Sequence, residues 1–235
     1  MNILLDRILE ERDCYHSCSQ EFGDYLFPVE GQSIGVDHAH PLYGGISQII
    51  PEFHEHNSIG IFGINGKLDR VSSRRLNIDA ESILRVRIPL DLSRSIYKLA
   101  GKTLQINQDK IYLGIPELEL IVPSQSLEAR LVTIKGFQDA STFETAVQNH
   151  LARLEIIGKV RVLTRTDGQP RCRTVKIHNK KVVGFAVRVD GLSNQDSLIL
   201  QQQGIGGRRK MGCGLWEHNT FAMSIYTYDN LSCGF

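Results

Sequence analysis

The chain has 235 residues, of which 41% are hydrophobic and 23% are charged, and its formal net charge is +1. These values are typical of a globular protein with one or two domains, and no apolar run reaches the ~20 residues of a membrane-spanning helix. The first residues, MNILLDRILEERD, lack the basic start and the cleavage site of a signal peptide, which predicts a cytoplasmic protein without a membrane partner.

Residues 1–123 predict an arm followed by one α+β unit. Residues 1–22 predict an acidic helical arm with its leucines on one side. The elements predicted after it are, in chain order, a strand at 24–31, a helix opened by Pro41 and ended near Pro51, strands at 58–66 and 82–90, a helix at 91–100 closed by Gly101, and strands at 103–106 and 110–115.

The same order of elements returns in residues 124–217. They are a strand at 128–137, a helix that Ser141 and Glu144 open as a capping box, a strand at 158–165, a hairpin across Asn179 within 173–192, a helix capped by Ser193 that runs to about Gln203, and a strand at 214–217. This repeated order predicts an α+β fold of two tandem ferredoxin-like (RRM-like) units. The expected domains are 23–123 and 124–217, followed by a tail at 218–235.

Charge is divided unevenly between the two halves. Residues 1–60 contain ten carboxylates and only two arginines, so the rest of the chain is strongly basic. Within 158–181, eight cations, among them Arg171 and Arg173, accompany the single carboxylate of Asp167. This segregation favours a polyanion such as a nucleic acid as the partner, and a solvated basic surface is the alternative.

The segment GIGGRRKMGCG (204–214) combines glycines with consecutive cations. Gly204, Gly206, Gly212 and Gly214 form a mirror-like G-x-G-x5-G-x-G spacing, and the cations between them are Arg208, Arg209 and Lys210. The segment follows a predicted helix and has Arg209 in place of the third glycine, so it is not a dinucleotide-binding loop. Bare backbone and adjacent cations suit RNA phosphates, and a flexible turn is the alternative.

The loop and four further stretches resemble a known family. The stretches are VDHAHPLYGGISQIIPEFHEH (36–56), LAGKTLQI (99–106), RLVTIKGF (130–137) and LSNQDSLILQQQGIGGRRKMGCGLW (192–216). Residues 24–216 are similar to the CRISPR repeat-RNA endoribonucleases (the Cas-six family), in the type I branch of the myxobacterial and cyanobacterial kind.

The resemblance implies an activity and its partners. A ribose 2′-hydroxyl of the CRISPR precursor RNA attacks the adjacent phosphate without a metal or cofactor, leaving a 2′,3′-cyclic phosphate and a 5′-hydroxyl. The protein would recognise the repeat stem-loop and remain on the guide RNA beside other effector-complex subunits, in antiviral defence or in guiding a transposon. A non-catalytic RNA-binding subunit that caps the guide RNA is the alternative.

Histidine suits the proton transfers of this reaction because it titrates near neutrality. His38 and His40 precede the predicted helix, whereas His54 and His56 follow it, so a helical rise of about 15 Å separates the pairs. The resemblance implies a catalytic histidine near the end of this helix, which selects His54. His38 is the second candidate, with a hydrogen bond at the helix start as its alternative role.

Further groups complete the expected site. Some relatives add a tyrosine on the first helix and a lysine after the histidine; here Ser47 stands at the expected tyrosine position, and no lysine lies between His54 and Lys67. A cation from Lys135, Arg208 or Arg209 would then stabilise the transition state, and Lys135 is also expected to bind RNA. Each His-x-His pair lacks the further ligands of a metal site, so none is predicted.

Overall fold

A computed structural model describes residues 21–72, 74–177 and 180–218. The predicted arm up to residue 20, the tail after His218, and the histidine at the predicted hairpin turn, His178, lie outside these ranges. Among the described residues, no helix combines the length and the apolarity that a membrane crossing requires.

The first unit is a sheet of antiparallel strands covered by helices. Its strands are β1 (Phe22–Glu30), β2 (Ser33–Gly35), β3 (Gly60–Ile64), β4 (Lys67–Leu68), β5 (Arg75–Asn77), β6 (Ile83–Pro89), β7 (Thr103–Ile106), β8 (Asp109–Leu113) and β9 (Glu117–Leu120). Its helices are α1 (Ala39–Ile49) and α2 (Ser93–Ile96), and 3₁₀ turns cover Pro51–His54, Leu90–Leu92 and Tyr97–Leu99. The sheet order is β3-β6-β1-β8-β7, and β9 also pairs with β1.

The second unit repeats the plan. Its strands are β10 (Ser126–Val132), β11 (Lys159–Val162), β12 (Cys172–Ile177), β13 (Lys180–Asp190) and β14 (Trp216–Glu217), and its helices are α3 (Ala140–Arg153) and α4 (Asn194–Gln203). The order β11-β13-β10-β14 corresponds strand for strand to β3-β6-β1-β8 of the first unit. Both units therefore have the ferredoxin-like order that the repeated pattern predicts.

Each unit has its own apolar core. In the first, β1 contributes Tyr25 and Phe27, and α1 contributes Leu42 and Ile46, all fully buried. In the second, Phe143 on α3 packs its ring 4.9 Å from that of Phe185 on β13. Period-two burial on strands and helical spacing on α1 and α3 match the patterns read from the sequence.

The structure corrects several predicted ends of elements. The helix predicted at 91–100 is α2, only four residues long, between two 3₁₀ turns. Asp139 caps α3 by accepting a hydrogen bond from the Ser141 amide, so Ser141 is not the cap. Glu144 instead accepts from the Val162 amide at 2.7 Å and joins α3 to β11. The cap predicted at Ser193 is present, since its side chain accepts from the Asp196 amide.

The sequence patterns also missed a small sheet in the first unit. Strands β2, β5 and β4 form a separate three-stranded sheet, in which β2 comes from the segment between β1 and α1, and β4 and β5 come from the segment between β3 and β6. These strands have two or three residues each, which is too short for a period to be recognised.

Buried ion pairs and close packing join the two units. Arg87 on β6 makes two hydrogen bonds to Asp24, of 2.7 and 2.8 Å, and donates to the Trp216 carbonyl at 2.7 Å. Arg85 pairs with Glu217 of the second unit, and all four charged side chains are buried. Buried charges are tolerated only when paired, so this network fixes how β14 sits on the first sheet.

Candidate active site and nucleic-acid interface

The end of α1 places a tyrosine against a histidine. The chain leaves α1 at Ile50 and turns through the 3₁₀ turn Pro51–His54, which Pro51 starts in its preferred position. Glu52 holds this turn by accepting hydrogen bonds from Ser95 at 2.8 Å and from Lys98 at 2.7 Å. The hydrogen bond from Lys98 is the main cause that lowers the pKa of Glu52 to about 2, so the contact persists near neutral pH.

Tyr43 and His54 are in direct contact. The Tyr43 hydroxyl lies 2.7 Å from Nδ1 of His54, and the two rings meet edge to face with centroids 5.4 Å apart. The His54 side chain is exposed, so the hydroxyl orients an imidazole that faces solvent. With one ring nitrogen held by a phenol, the imidazole has a fixed orientation, which a proton-transfer group requires.

Lys210 of the second unit completes this cluster. Its Nζ donates to the His54 carbonyl at 3.0 Å and lies 5.7 Å from the centre of the Tyr43 ring. Partial burial lowers the pKa of Lys210. An ammonium has three donors, so the contact with His54 leaves capacity for a bound anion. We define Tyr43, His54 and Lys210 as the Tyr-His-Lys cluster.

The glycines of the 204–214 loop allow its tight packing against the protein. Gly204, Gly206, Gly212 and Gly214 all have φ between 65° and 83°. A Cβ on Gly204 would overlap the Gly214 carbonyl, and a Cβ on Gly206 would overlap the Thr133 carbonyl. The loop thus folds back on itself and onto β10, and this packing sets the position of Lys210.

The three cations of the loop have different surroundings. Arg208 is exposed and adopts a left-handed backbone conformation with φ of 68°. Arg209 is 7% exposed and donates to the Ser58 carbonyl at 3.2 Å. Burial and the nearby Arg87 lower the pKa of Arg209 to about 10. The sequence predicts RNA contacts for all three cations, but the side chain of Arg209 joins the two units and does not face solvent.

His38 has a structural environment at the start of α1. Its Nδ1 lies 2.8 Å from the Gly35 carbonyl, and its Nε2 accepts from the Ile64 amide at 3.1 Å. Burial lowers the pKa of His38 to about 4. Since both ring nitrogens serve the backbone, the imidazole is neutral at pH 7 and is not presented to a substrate. The sequence-based alternative, a hydrogen bond at the start of the helix, differs from this arrangement, since the His38 side chain does not cap α1.

The other predicted RNA-binding residues lie outside the cluster. Lys135 is exposed beyond the end of β10, in the segment whose Thr133 carbonyl contacts the loop. Arg171 precedes β12 and Arg173 lies on it, and both are partly buried. These positions place them on the second unit, at the edge formed by β12 and its neighbours.

Two members of the cluster were not expected from the sequence in these roles. Tyr43 lies one helical turn before the expected position at Ser47, which is buried on α1. Lys210 was expected to bind RNA, whereas Lys135, Arg208 or Arg209 was expected to supply the cation of the transition state. A spacing of 11 residues across a helix and a turn connects Tyr43 with His54, and 156 residues separate His54 from Lys210. Only the contact between Tyr43 and His54 joins residues close enough in the chain to be expected from their spacing.

No group of three or more histidine, cysteine, aspartate or glutamate side chains within 21–72, 74–177 and 180–218 is arranged to hold a metal ion.

Comparison with known proteins identifies the family of the chain. The family model described as Cas6, Cas6 Crispr, matches residues 24–219. A CRISPR-associated endonuclease Cas6 of Myxococcus xanthus (strain DK1622) is 37% identical over 195 residues, which cover 83% of this chain and 80% of that protein.

Solved structures share the fold at low sequence identity. A CRISPR-associated protein Cas6 has a TM-score of 0.59 at 9% identity and covers 84% of this chain and 98% of its own. A Cas6-related protein from Pyrococcus furiosus has a TM-score of 0.59 at 9% identity, covering 85% and 98%. A RAMP protein described as binding different RNA substrates has a TM-score of 0.58 at 10% identity, covering 84% and 98%. The match of the family model over most of the chain, together with the Myxococcus relative, shows that the chain belongs to the Cas6 family.

Proposed function

We propose that this protein is an endoribonuclease that binds the repeat of a CRISPR precursor RNA and cleaves it without a metal ion. The 2′-oxygen bonds to the adjacent phosphorus, the bond from phosphorus to the 5′-oxygen breaks, and the products carry a 2′,3′-cyclic phosphate and a 5′-hydroxyl. The observation that carries the proposal is the convergence of Tyr43, His54 and Lys210 from both units.

His54 suits the proton transfer. Its exposed ring can take the proton of the 2′-hydroxyl or give one to the leaving 5′-oxygen, and Tyr43 holds the ring through Nδ1 in either tautomer. A positioned acid or base contributes roughly 10²–10⁴ in rate. Tyr43, or a water molecule, carries out whichever of these two proton transfers His54 does not.

Lys210 suits the developing charge. The attacking and leaving oxygens share an extra negative charge with the phosphate at the transition state, and an ammonium fixed beside them stabilises it. Its partial burial reduces competition from water, and its contact with the His54 carbonyl keeps it within the site. Because Lys210 lies on a loop of the second unit, the site is complete only when the two units are packed together.

The basic surface of the second unit would hold the RNA. Arg208 in the loop and Lys135 near it are exposed, and Arg171 and Arg173 extend the positive charge toward β12. Contacts to several phosphates make binding strongly dependent on salt, because bound counterions are released.

The test is cleavage of repeat RNA by purified protein in EDTA. We expect one discrete cut, a 3′ fragment that polynucleotide kinase labels directly, and a 5′ fragment that ends in a cyclic phosphate. Binding without cleavage would support the alternative of a non-catalytic RNA-binding subunit. Cleavage that needs added Mg²⁺ would contradict the metal-independent mechanism. We also propose that the protein remains on its product as part of a larger complex, so product and protein should elute together in gel filtration.

A further inference from the structure

The small sheet of the first unit carries two exposed arginines at its tip. We define the basic arm as residues 67–72 and 74–77, which comprise β4, β5 and the described part of the turn between them. Arg70 and Arg74 are exposed in this turn, and Val71 between them is 96% exposed.

The cations at the base of the arm are neutralised within the protein. Arg75 donates to Asp109 at 2.5 Å and to the Ser33 hydroxyl at 2.7 Å, and Lys67 pairs with Asp79 at 2.8 Å. Within the described residues, neither Arg70 nor Arg74 has a carboxylate partner. The base of the arm is thus held by ion pairs, whereas the cations of its tip are left to solvent.

Backbone contacts hold the residues beside both arginines. Asp69 accepts from the Val71 amide at 3.1 Å, and its own amide donates to the Arg75 carbonyl at 3.0 Å. The Arg74 carbonyl accepts from the amide of Val36, just before α1. Backbone that is already held loses little further conformational entropy when its cations bind a ligand.

The arm is joined to the segment before α1, where the Val36 amide donates to the Arg74 carbonyl, whereas His54 follows the end of α1. At the arm's end of α1, Ala39 packs against an apolar cluster of the second unit that includes Val175 and Val182 on the β12–β13 hairpin. That hairpin also exposes Lys176, Lys180 and Lys181. Cations of both units therefore approach the start of α1.

We infer that the basic arm is a second RNA-binding site, in which Arg70 and Arg74 contact the sugar–phosphate backbone of the precursor RNA away from the cut. This inference rests on the proposed function, since it takes RNA as the ligand and His54 as the reference point for the cut.

The test compares the double variant Arg70→Ala/Arg74→Ala with Lys102→Ala/Arg153→Ala, which removes the same charge from exposed positions away from the arm. The probe is repeat RNA with a 2′-deoxyribose at the cut nucleotide, which cannot be cleaved by 2′-hydroxyl attack. We expect the arm variant to bind about tenfold more weakly at 0.1 M salt and to lower the salt slope by about 1.4, the value for two single-strand phosphates. The control should match the wild type, and thermal unfolding should show that both variants are folded.

Shortened RNAs locate the contact. With RNA trimmed to two nucleotides on one side of the cut, or on the other, one of the two truncations should abolish the difference between the wild type and the arm variant. A difference that persists with both RNAs would overturn the inference.

The outcomes separate this inference from the proposed function. If the wild type binds and cleaves the repeat while the arm variant equals its control in Kd and salt slope, the arm inference fails and the proposed function stands. If the wild type does not bind the repeat, both fail. A loss of the cleavage rate at saturating RNA, with an unchanged Kd for uncleavable RNA, would also refute a binding role for the arm.

Discussion

His38 and His54 flank the same helix, yet the fold gives them opposite environments. His38 is buried, with both ring nitrogens bound to backbone groups, and its pKa is lowered to about 4. His54 is exposed, and its Nδ1 contacts the Tyr43 hydroxyl beside the ammonium of Lys210. Two identical side chains thus differ in whether a ring nitrogen remains for a substrate, and that difference follows from packing.

Removal of the His54 side chain tests the difference between the two histidines most directly. His54→Ala should lower the single-turnover cleavage rate by roughly 10²–10⁴, because a positioned acid or base contributes that much. Its melting temperature should stay near that of the wild type, since the side chain is exposed. The measurement is cleavage of labelled repeat RNA at saturating protein. His56→Ala, two residues away, is the matched control and should retain the rate. A His54→Ala protein that cleaves at the wild-type rate would rule out this role.

Replacing Lys210 extends the comparison to the second unit. Lys210→Ala should lower the cleavage rate by about 10²–10³, as expected for loss of a group that stabilises transition-state charge. Arg208→Ala, the neighbouring exposed cation, should mainly weaken binding. Separate measurement of Kd and of the single-turnover rate distinguishes the two effects. The assignment of Lys210 to the chemical step is wrong if its variant changes only Kd.

The smallest expected effect concerns His38 and appears in stability. Its folded pKa of about 4 lies below the unfolded value of 6.5, so the neutral imidazole stabilises the fold above about pH 6.5, and this contribution is lost as the pH falls toward 4. Lowering the pH from 7 to 5 should cost about 2 kcal/mol of unfolding free energy from this group.

Urea unfolding of the wild type and His38→Gln at pH 7 and pH 5 measures this contribution. The variant should be less stable at pH 7 by about 1–3 kcal/mol, because buried backbone groups lose a partner. Its stability should depend less on pH than that of the wild type. Equal pH dependence in the two proteins would contradict the burial of a neutral His38.

Local patterns predicted the elements whose residues alternate or repeat regularly. The strand-like run at 24–31 predicted β1, and the spacing from Leu42 to Ile46 predicted α1, because burial of one helix face imposes such a period. Local patterns failed at the start of α3. Ser141 and Glu144 have the spacing of a capping box, but Asp139 is the cap and Glu144 accepts from the Val162 amide on β11.

The candidate site was only partly predictable. His54 followed from its place after the helix and from family resemblance. Helix geometry could have indicated Tyr43, since a turn after α1 brings the chain back toward the helix surface. It could not have indicated Lys210, because the position of Lys210 depends on how the two units pack through Arg87, Arg209 and the loop glycines.

The amino-acid pattern was enough to predict the two ferredoxin-like units, the concentration of positive charge in the second, and the histidines that bracket α1. These properties depend on local periodicity and on composition, which need no long-range contact to be recognised. The folded chain was needed to show which histidine is accessible, which loop cation reaches it and which is buried, and where a second basic surface lies. Those choices depend on contacts between residues far apart in the chain, and such contacts are fixed by close packing and by the pairing of buried charges.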